Sequence, residues 1–160
     1  MKWCRWPAVL FFLVFIVTIS CWAINIIVIG SWTQDIDTTH LQGPAGSDLT
    51  AVFESAANQI SISIEDTNRQ FQVDVRRLDS NWNPDLHLYI RRISDAAWGH
   101  PRRWVSGGTT YQEIMVASQY FFNGYRYNGG IDVQLKLEGV SIQVPPGIYQ
   151  TSVIYTVIEQ

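Results

Sequence analysis

Val144–Gln160, "VPPGIYQTSVIYTVIEQ", is the stretch on which the fold class turns. Tyr149, Thr151, Val153, Tyr155 and Val157 alternate with Gln150, Ser152, Ile154, Thr156 and Ile158. A two-residue period sends successive side chains to opposite faces, which is the signature of a β-strand and not of a helix. The Pro145–Pro146–Gly147 turn marks where the strand begins. A strand this long must pair, because an unpaired apolar edge invites aggregation. Short connections favour neighbours, so the expected partner is the Ile131–Leu137 strand of the same chain. Exchange with a second copy is the other option, and Tyr149, Val153, Tyr155 and Val157 would then form the assembly strand.

The same period recurs upstream. Ile131, Val133, Leu135 and Leu137 alternate with Asp132, Gln134, Lys136 and Glu138. Ile60, Ile62 and Ile64 alternate with Ser61, Ser63 and Glu65; Phe71, Val73 and Val75 with Gln72, Asp74 and Arg76; Leu86, Leu88 and Ile90 with His87, Tyr89 and Arg91. "TYQEIMVAS", "QYFFNGY" and "VSIQV" are weaker candidates, and "LTAVFESAANQ" suits a short helix or a first strand. Turn signals separate the runs: "DTN", "DSNWNPD", "SGG", and Asn-Gly at 123 and 128, the dipeptide that best tolerates positive φ in a hairpin. About seven or eight short strands with no helical segment between them predict an antiparallel, immunoglobulin-like β-sandwich over residues 50–160.

The first thirty residues are different material. Lys2 and Arg5 precede Pro7–Gly30, which carries no charge; all 14 acidic residues and nine of the 11 basic ones follow it. A positive start, an apolar run and then a polar remainder is the layout of an export signal. The run is longer than the ~7–15 apolar residues of a cleavable signal. It also reaches the ~20 that a membrane-spanning helix needs. Trp3, Trp6 and Trp32 flank it as interfacial anchors would. Residues 1–30 therefore read as a signal peptide or a single transmembrane anchor helix. Cleavage points exist after Ala23 and Gly30, and "TISCW" offers Cys21 for lipidation. Each version places the rest of the chain outside the cytoplasm, secreted, at the cell surface or held to the membrane. Residues 31–49, with a Gly-Pro-Ala-Gly cluster and no period, read as a linker or arm.

The only cysteines, Cys4 and Cys21, lie in the leader. The exported part thus has no disulfide or thiolate metal site, and packing must hold it together. Its 14 acidic and nine basic residues make a net charge of −5 without a basic stripe, which argues against nucleic acid as a partner.

The ending "PPGIYQTSVIYTV", after "LEGVSIQ", resembles the close of secreted bacterial spore-coat-U and pilin-like β-sandwich subunits. In those a Pro-Gly-x-Tyr turn leads into a last alternating strand that ends the chain. The likeness covers about the final 30 residues and implies a structural, self-assembling role at the cell surface. Two features depart from it: the exported part has no cysteine, and "SWTQDIDTTHL" lacks the alternation of a donor arm.

Candidate chemistry is sparse. His40, His87 and His100 show no metal-ligand spacing, and there is no nucleophile elbow or phosphate-cradling loop, so neither an enzyme nor a cofactor is expected. Asp79, Asn81, Asn83 and Asp85 place oxygens at alternate positions, as calcium loops do. Pro84 stands where such a loop needs glycine, and a turn capped by its own Asn and Asp side chains accounts for the same residues. "DAAWGHPRRWVSGG" gathers Trp98, Arg102, Arg103 and Trp104, which suit stacking on a sugar ring or gripping an anionic polymer; the plainer reading is a tryptophan covering the sandwich end among solvated arginines. Two functions follow as expectations. One is a non-enzymatic, exported sandwich with a structural or surface-assembly role through its sheet edges. The other is a membrane-tethered module that binds a glycan or cell-wall polymer.

Overall fold

In the computed structural model, which describes residues 23–160, the alternating segments become antiparallel strands. Eleven are present among the described residues: β1 (Asn25–Ile29), β2 (Val52–Glu54), β3 (Ile60–Glu65), β4 (Gln70–Asn81), β5 (His87–Arg92), β6 (Trp98–Gly99), β7 (Trp104–Ser106), β8 (Gln112–Glu113), β9 (Gln119–Tyr125), β10 (Asn128–Glu138) and β11 (Gln150–Glu159). They form two sheets. One runs β1-β3-β10-β5-β8, with β2 and β6 also paired to β10; the other runs β11-β4-β9-β7. The described residues contain no α-helix, and none of their helices is long and apolar enough to cross a membrane.

The residues that alternate in sequence are the ones that meet between the sheets. Ile60, Ile62 and Ile64 from β3, Leu88 and Ile90 from β5, and Ile131, Val133 and Leu135 from β10 pack against Phe71, Val73 and Val75 from β4 and Phe121 and Phe122 from β9. Each such side chain, taken fully from water, contributes on the order of 1.5–3 kcal/mol. A second cluster, Phe53, Leu86, Leu137 and Val140, closes one end, and Trp32 and Trp82 pack against both clusters. Trp82 also donates its indole N–H to the Leu86 carbonyl at 2.9 Å, which satisfies its polar atom inside the fold.

The terminal strand does not pair with Ile131–Leu137. It lies in the other sheet beside β4, paired from Gln150↔Asn81 to Glu159↔Phe71 with one register shift between Gln150 and Thr151. The reason is vacancy. β10 is flanked by β3 and β2 on one side and by β5 and β6 on the other, so it offers no free edge. The connection is also no hairpin. At Gly139 (φ +85°) a side chain would collide with the Asp85 carbonyl, with Cβ 1.9 Å from the oxygen. Beyond it "VSIQV", expected as a strand, turns instead: Asp48 Oδ1 accepts from the Ile142 N–H at 3.0 Å and Ser141 O from Val144 N–H at 3.1 Å.

Two other expectations are corrected. Asn123–Gly124 is not a turn but the interior of β9, because the Phe71 ring fills the space a side chain at Gly124 would need, 2.5 Å from its Cβ position. The reversal falls three residues later, with Arg126 at φ +65° and the Asn128 amide donating to the carbonyls of Tyr125 and Arg126. The expected leader helix over 1–30 also ends too late. Residues 25–29 form β1, paired with β3 from Asn25↔Glu65 to Ile29↔Ser61; residues 1–22 lie outside the described part. The 31–49 arm is tied down by a 3₁₀ turn at Thr38–His40, capped by Asp37, and by a Leu41–Leu49 bridge.

Candidate binding cleft at the tryptophan–arginine end

The "DAAWGHPRRW" segment crosses from one sheet to the other at one end of the fold. β6 pairs with the start of β10, Gly129 opposite Trp98 and Asn128 opposite Gly99. β7 pairs with β9, Trp104 opposite Tyr125. Trp98 is 49% exposed, and its ring lies over Gly129, where an added Cβ would fall 2.1 Å from ring atoms. Trp104 is 39% exposed and stacks on Tyr125, ring centres 6.5 Å apart at 23°. Both tryptophans are thus fixed by their strands and still open on one face.

His100 organises the loop between them. Its N–H donates to the Tyr127 carbonyl at 3.1 Å, and its own carbonyl accepts from the Arg103 N–H at 2.9 Å. Its Nδ1 accepts from the Arg102 N–H at 3.0 Å, which requires that nitrogen to be unprotonated. The Arg126 guanidinium lies against the same ring. Burial, then the Arg126 charge, then the Arg102 charge hold the imidazole below its ordinary range. Because the folded value is depressed, the loop's order is fully present above the unfolded value of 6.5 and is lost as pH falls through the window beneath it. Trp98 and Trp104 fluorescence is expected to shift toward that of solvated tryptophan on acidification below about 6.5, and His100→Gln to remove that step. An unchanged step in the variant would assign it elsewhere.

Beside this loop is an open cleft of about 370 Å³, lined by Asp95, Ala96, Arg103, Trp104, Val105 and Asn128. That volume is in the range of small-ligand sites. Among the described residues Arg103 makes two long side-chain hydrogen bonds, to His100 O at 3.3 Å and Ala96 O at 3.4 Å, so most of its five N–H donors remain for a ligand. Asn128 is fully buried at the base, and its Oδ1 has no hydrogen-bond partner among the described residues. Asp95 is held by Arg92, which is 4% exposed and donates to Asp95 Oδ1 at 2.5 Å, Ser94 O at 2.7 Å and Gly107 O at 2.8 Å. One wall is therefore aromatic, one anionic and one cationic.

Of the expected site residues, Arg103 and Trp104 line this cleft, while Trp98 and the exposed Arg102 stand on the same loop outside it. Asp95, Asn128 and Arg92 were not legible as site residues. Asn128 reads as a turn residue, and Arg92 as one of an arginine pair on a candidate strand of which one member faces outward. Three of the four side chains considered for calcium have separate partners. Asp79 Oδ1 accepts from Thr151 Oγ1 at 2.8 Å, Asn81 donates to Ile148 O at 2.5 Å, and Asn83 Oδ1 caps the Asp85 N–H at 2.8 Å. Among the described residues no three His, Cys, Asp or Glu side chains come together as a metal site. Val153, Tyr155 and Val157 pack on their own chain's main core, and Tyr149 packs on the second cluster. In comparisons with protein-family models, with curated proteins and with solved structures, nothing matches this chain.

Proposed function

We propose that the chain is an exported, non-enzymatic binding module that holds a glycan or acidic cell-wall polymer at the tryptophan–arginine end. The observation that carries this is the cleft in which Trp104, Arg103 and Asp95 converge. A sugar ring has an apolar face of C–H groups and a rim of hydroxyls. An open tryptophan face suits the first, and a carboxylate beside a guanidinium suits the second, accepting from one hydroxyl while donating to another. Arg103 lines it and Arg102 stands on the same loop, whereas Asp95 is already paired with Arg92, so the local balance favours a polymer bearing carboxylates or phosphates. The reading also takes the sandwich as immunoglobulin-like, supported by seven strands of five residues or more that divide four and three between the sheets.

The test is retention on insoluble peptidoglycan and on a uronic-acid polysaccharide, with fluorescence titration of the soluble form. Trp104→Ala is expected to lower retention by about two- to tenfold, the loss of one aromatic stacking contact, without changing mass. Equal retention by Trp104→Ala and Arg103→Ala would sink the proposal.

Assembly between copies is a second reading, supported by the outer edges of β1 and β11, which among the described residues end their respective sheets on one side of the sandwich. It fits the resemblance to pilin-like subunits and predicts a molar mass that grows with concentration.

A further inference from the structure

The uncharged run Pro7–Gly30 contains 24 residues and by length alone suits a membrane span. The fold divides it. Ile24 and Ile26 pack against the main core, and Asn25–Ile29 is the edge strand of the larger sheet, paired residue by residue with β3. Gly30 follows at φ +119°, so close to Gln59 that an added Cβ would lie 2.1 Å from its carbonyl oxygen, and the Gln59 amide donates to the Ser31 carbonyl. Residues 24–31 therefore belong to the sandwich. A span using them would have to strip β1 from β3 and withdraw Ile26 from the core.

What remains of the run is Pro7–Ala23, 17 residues, at the lower limit of the ~17–25 that cross a bilayer, and Thr18 and Ser20 interrupt its last third. Its composition has the three parts of a cleavable signal. Lys2 and Arg5 give the positive start, Ala8–Val17 is an unbroken apolar stretch of ten residues, and "TISCWA" ends with small residues at Cys21 and Ala23. Ten lies within the ~7–15 expected of such a stretch, and small side chains one and three residues before the cut are what leader peptidases accept. Ala23 is exposed, and Ile24 is half-buried.

We propose that the chain is processed by hydrolysis of the Ala23–Ile24 peptide bond. Water adds across it, Ala23 leaving as a carboxylate and Ile24 becoming a new amino terminus one residue ahead of β1. The enzyme is a membrane leader peptidase of the exporting cell. The site retains every described residue that packs in the core, whereas a cut after Gly30 would delete β1. Ile26 is opposite Ile64, and Ile64 is opposite Asn128 at the base of the cleft, so an uncut leader would leave the fold two strands from that site. The inference rests on the export reading in the proposed function, and its test separates the two.

The full chain is produced in a bacterial host, and the material outside the cytoplasm is examined by intact mass and amino-terminal sequencing. The expected result is one species beginning at Ile24, with Ala23→Tyr leaving the leader attached. An exported species beginning at Ser31, at Met1, or at Cys21 with added lipid mass would overturn the cleavage site while leaving export standing. Full-length chain confined to the cytoplasm would overturn both. As a second readout, chain beginning at Ile24 is expected to melt at a higher temperature than chain beginning at Ser31; equal melting temperatures would count against β1 as part of the mature fold.

Discussion

Deleting Gln150–Gln160 is expected to abolish cooperative folding, read as loss of the thermal transition and of the β-sheet circular dichroism signal. β11 is one of only four strands in its sheet and pairs with β4 along its whole length. Its inward side chains, Val153, Tyr155 and Val157, cover the main core from that side. Their burial contributes on the order of 1–2 kcal/mol each, and each ladder hydrogen bond adds about 1 kcal/mol more. The sum is comparable with the whole ~5–15 kcal/mol that separates folded from unfolded in a domain of this size. The deletion would also leave β4 as an unpaired apolar edge, so aggregation should accompany unfolding. A truncated chain that stayed folded but lost oligomers would reverse the assignment and make β11 an assembly element.

The sheets were legible because alternation is a direct consequence of the pleat. Every strand with a clean period, from Ile60 to Ile158, appears as a strand with the expected face inward. Pairing was not legible in the same way. Period says which face is buried but not which edge is vacant, and β11 went to β4 because β10 already had neighbours on both sides. The leader boundary failed for a related reason: "INIIVIG" is as apolar as the run before it, and only its pairing with β3 separates strand from leader.

At the site, the residues that read as unusual in sequence, Trp98, Arg102, Arg103 and Trp104, do cluster at one end. Asp95, Arg92 and Asn128 have no distinguishing local pattern, because their roles depend on a loop that closes back on Gly107 and on a turn whose position moved. Gly124 was misleading for a physical reason. Glycine after asparagine permits positive φ, but it also permits a neighbouring ring to lie on the backbone, and here the second use applies.

That contact carries the other large effect. Phe71 is fully buried, and its ring rests on the backbone of Gly124 between the two sheets. Phe71→Ala is expected to destabilise the domain by about 3–5 kcal/mol, the transfer loss of the ring plus the cavity it leaves. At this size that lowers the melting temperature by roughly 10–20 °C, measurable by calorimetry. The converse substitution acts on the same space. An added methyl in Gly124→Ala would sit 2.5 Å from Phe71 Cζ and 2.9 Å from the Trp104 carbonyl, so the ring must move or the β7–β9 pairing must open. Combining Gly124→Ala with Phe71→Leu removes the ring side of that clash but not the carbonyl side. The double variant is therefore expected to be more stable than the two single effects predict, by a coupling of about 0.5–3 kcal/mol. Strict additivity would mean that the penalty at Gly124 comes from the Trp104 strand alone. In that case Trp104, and with it the aromatic wall of the cleft, should shift while the core stays in place.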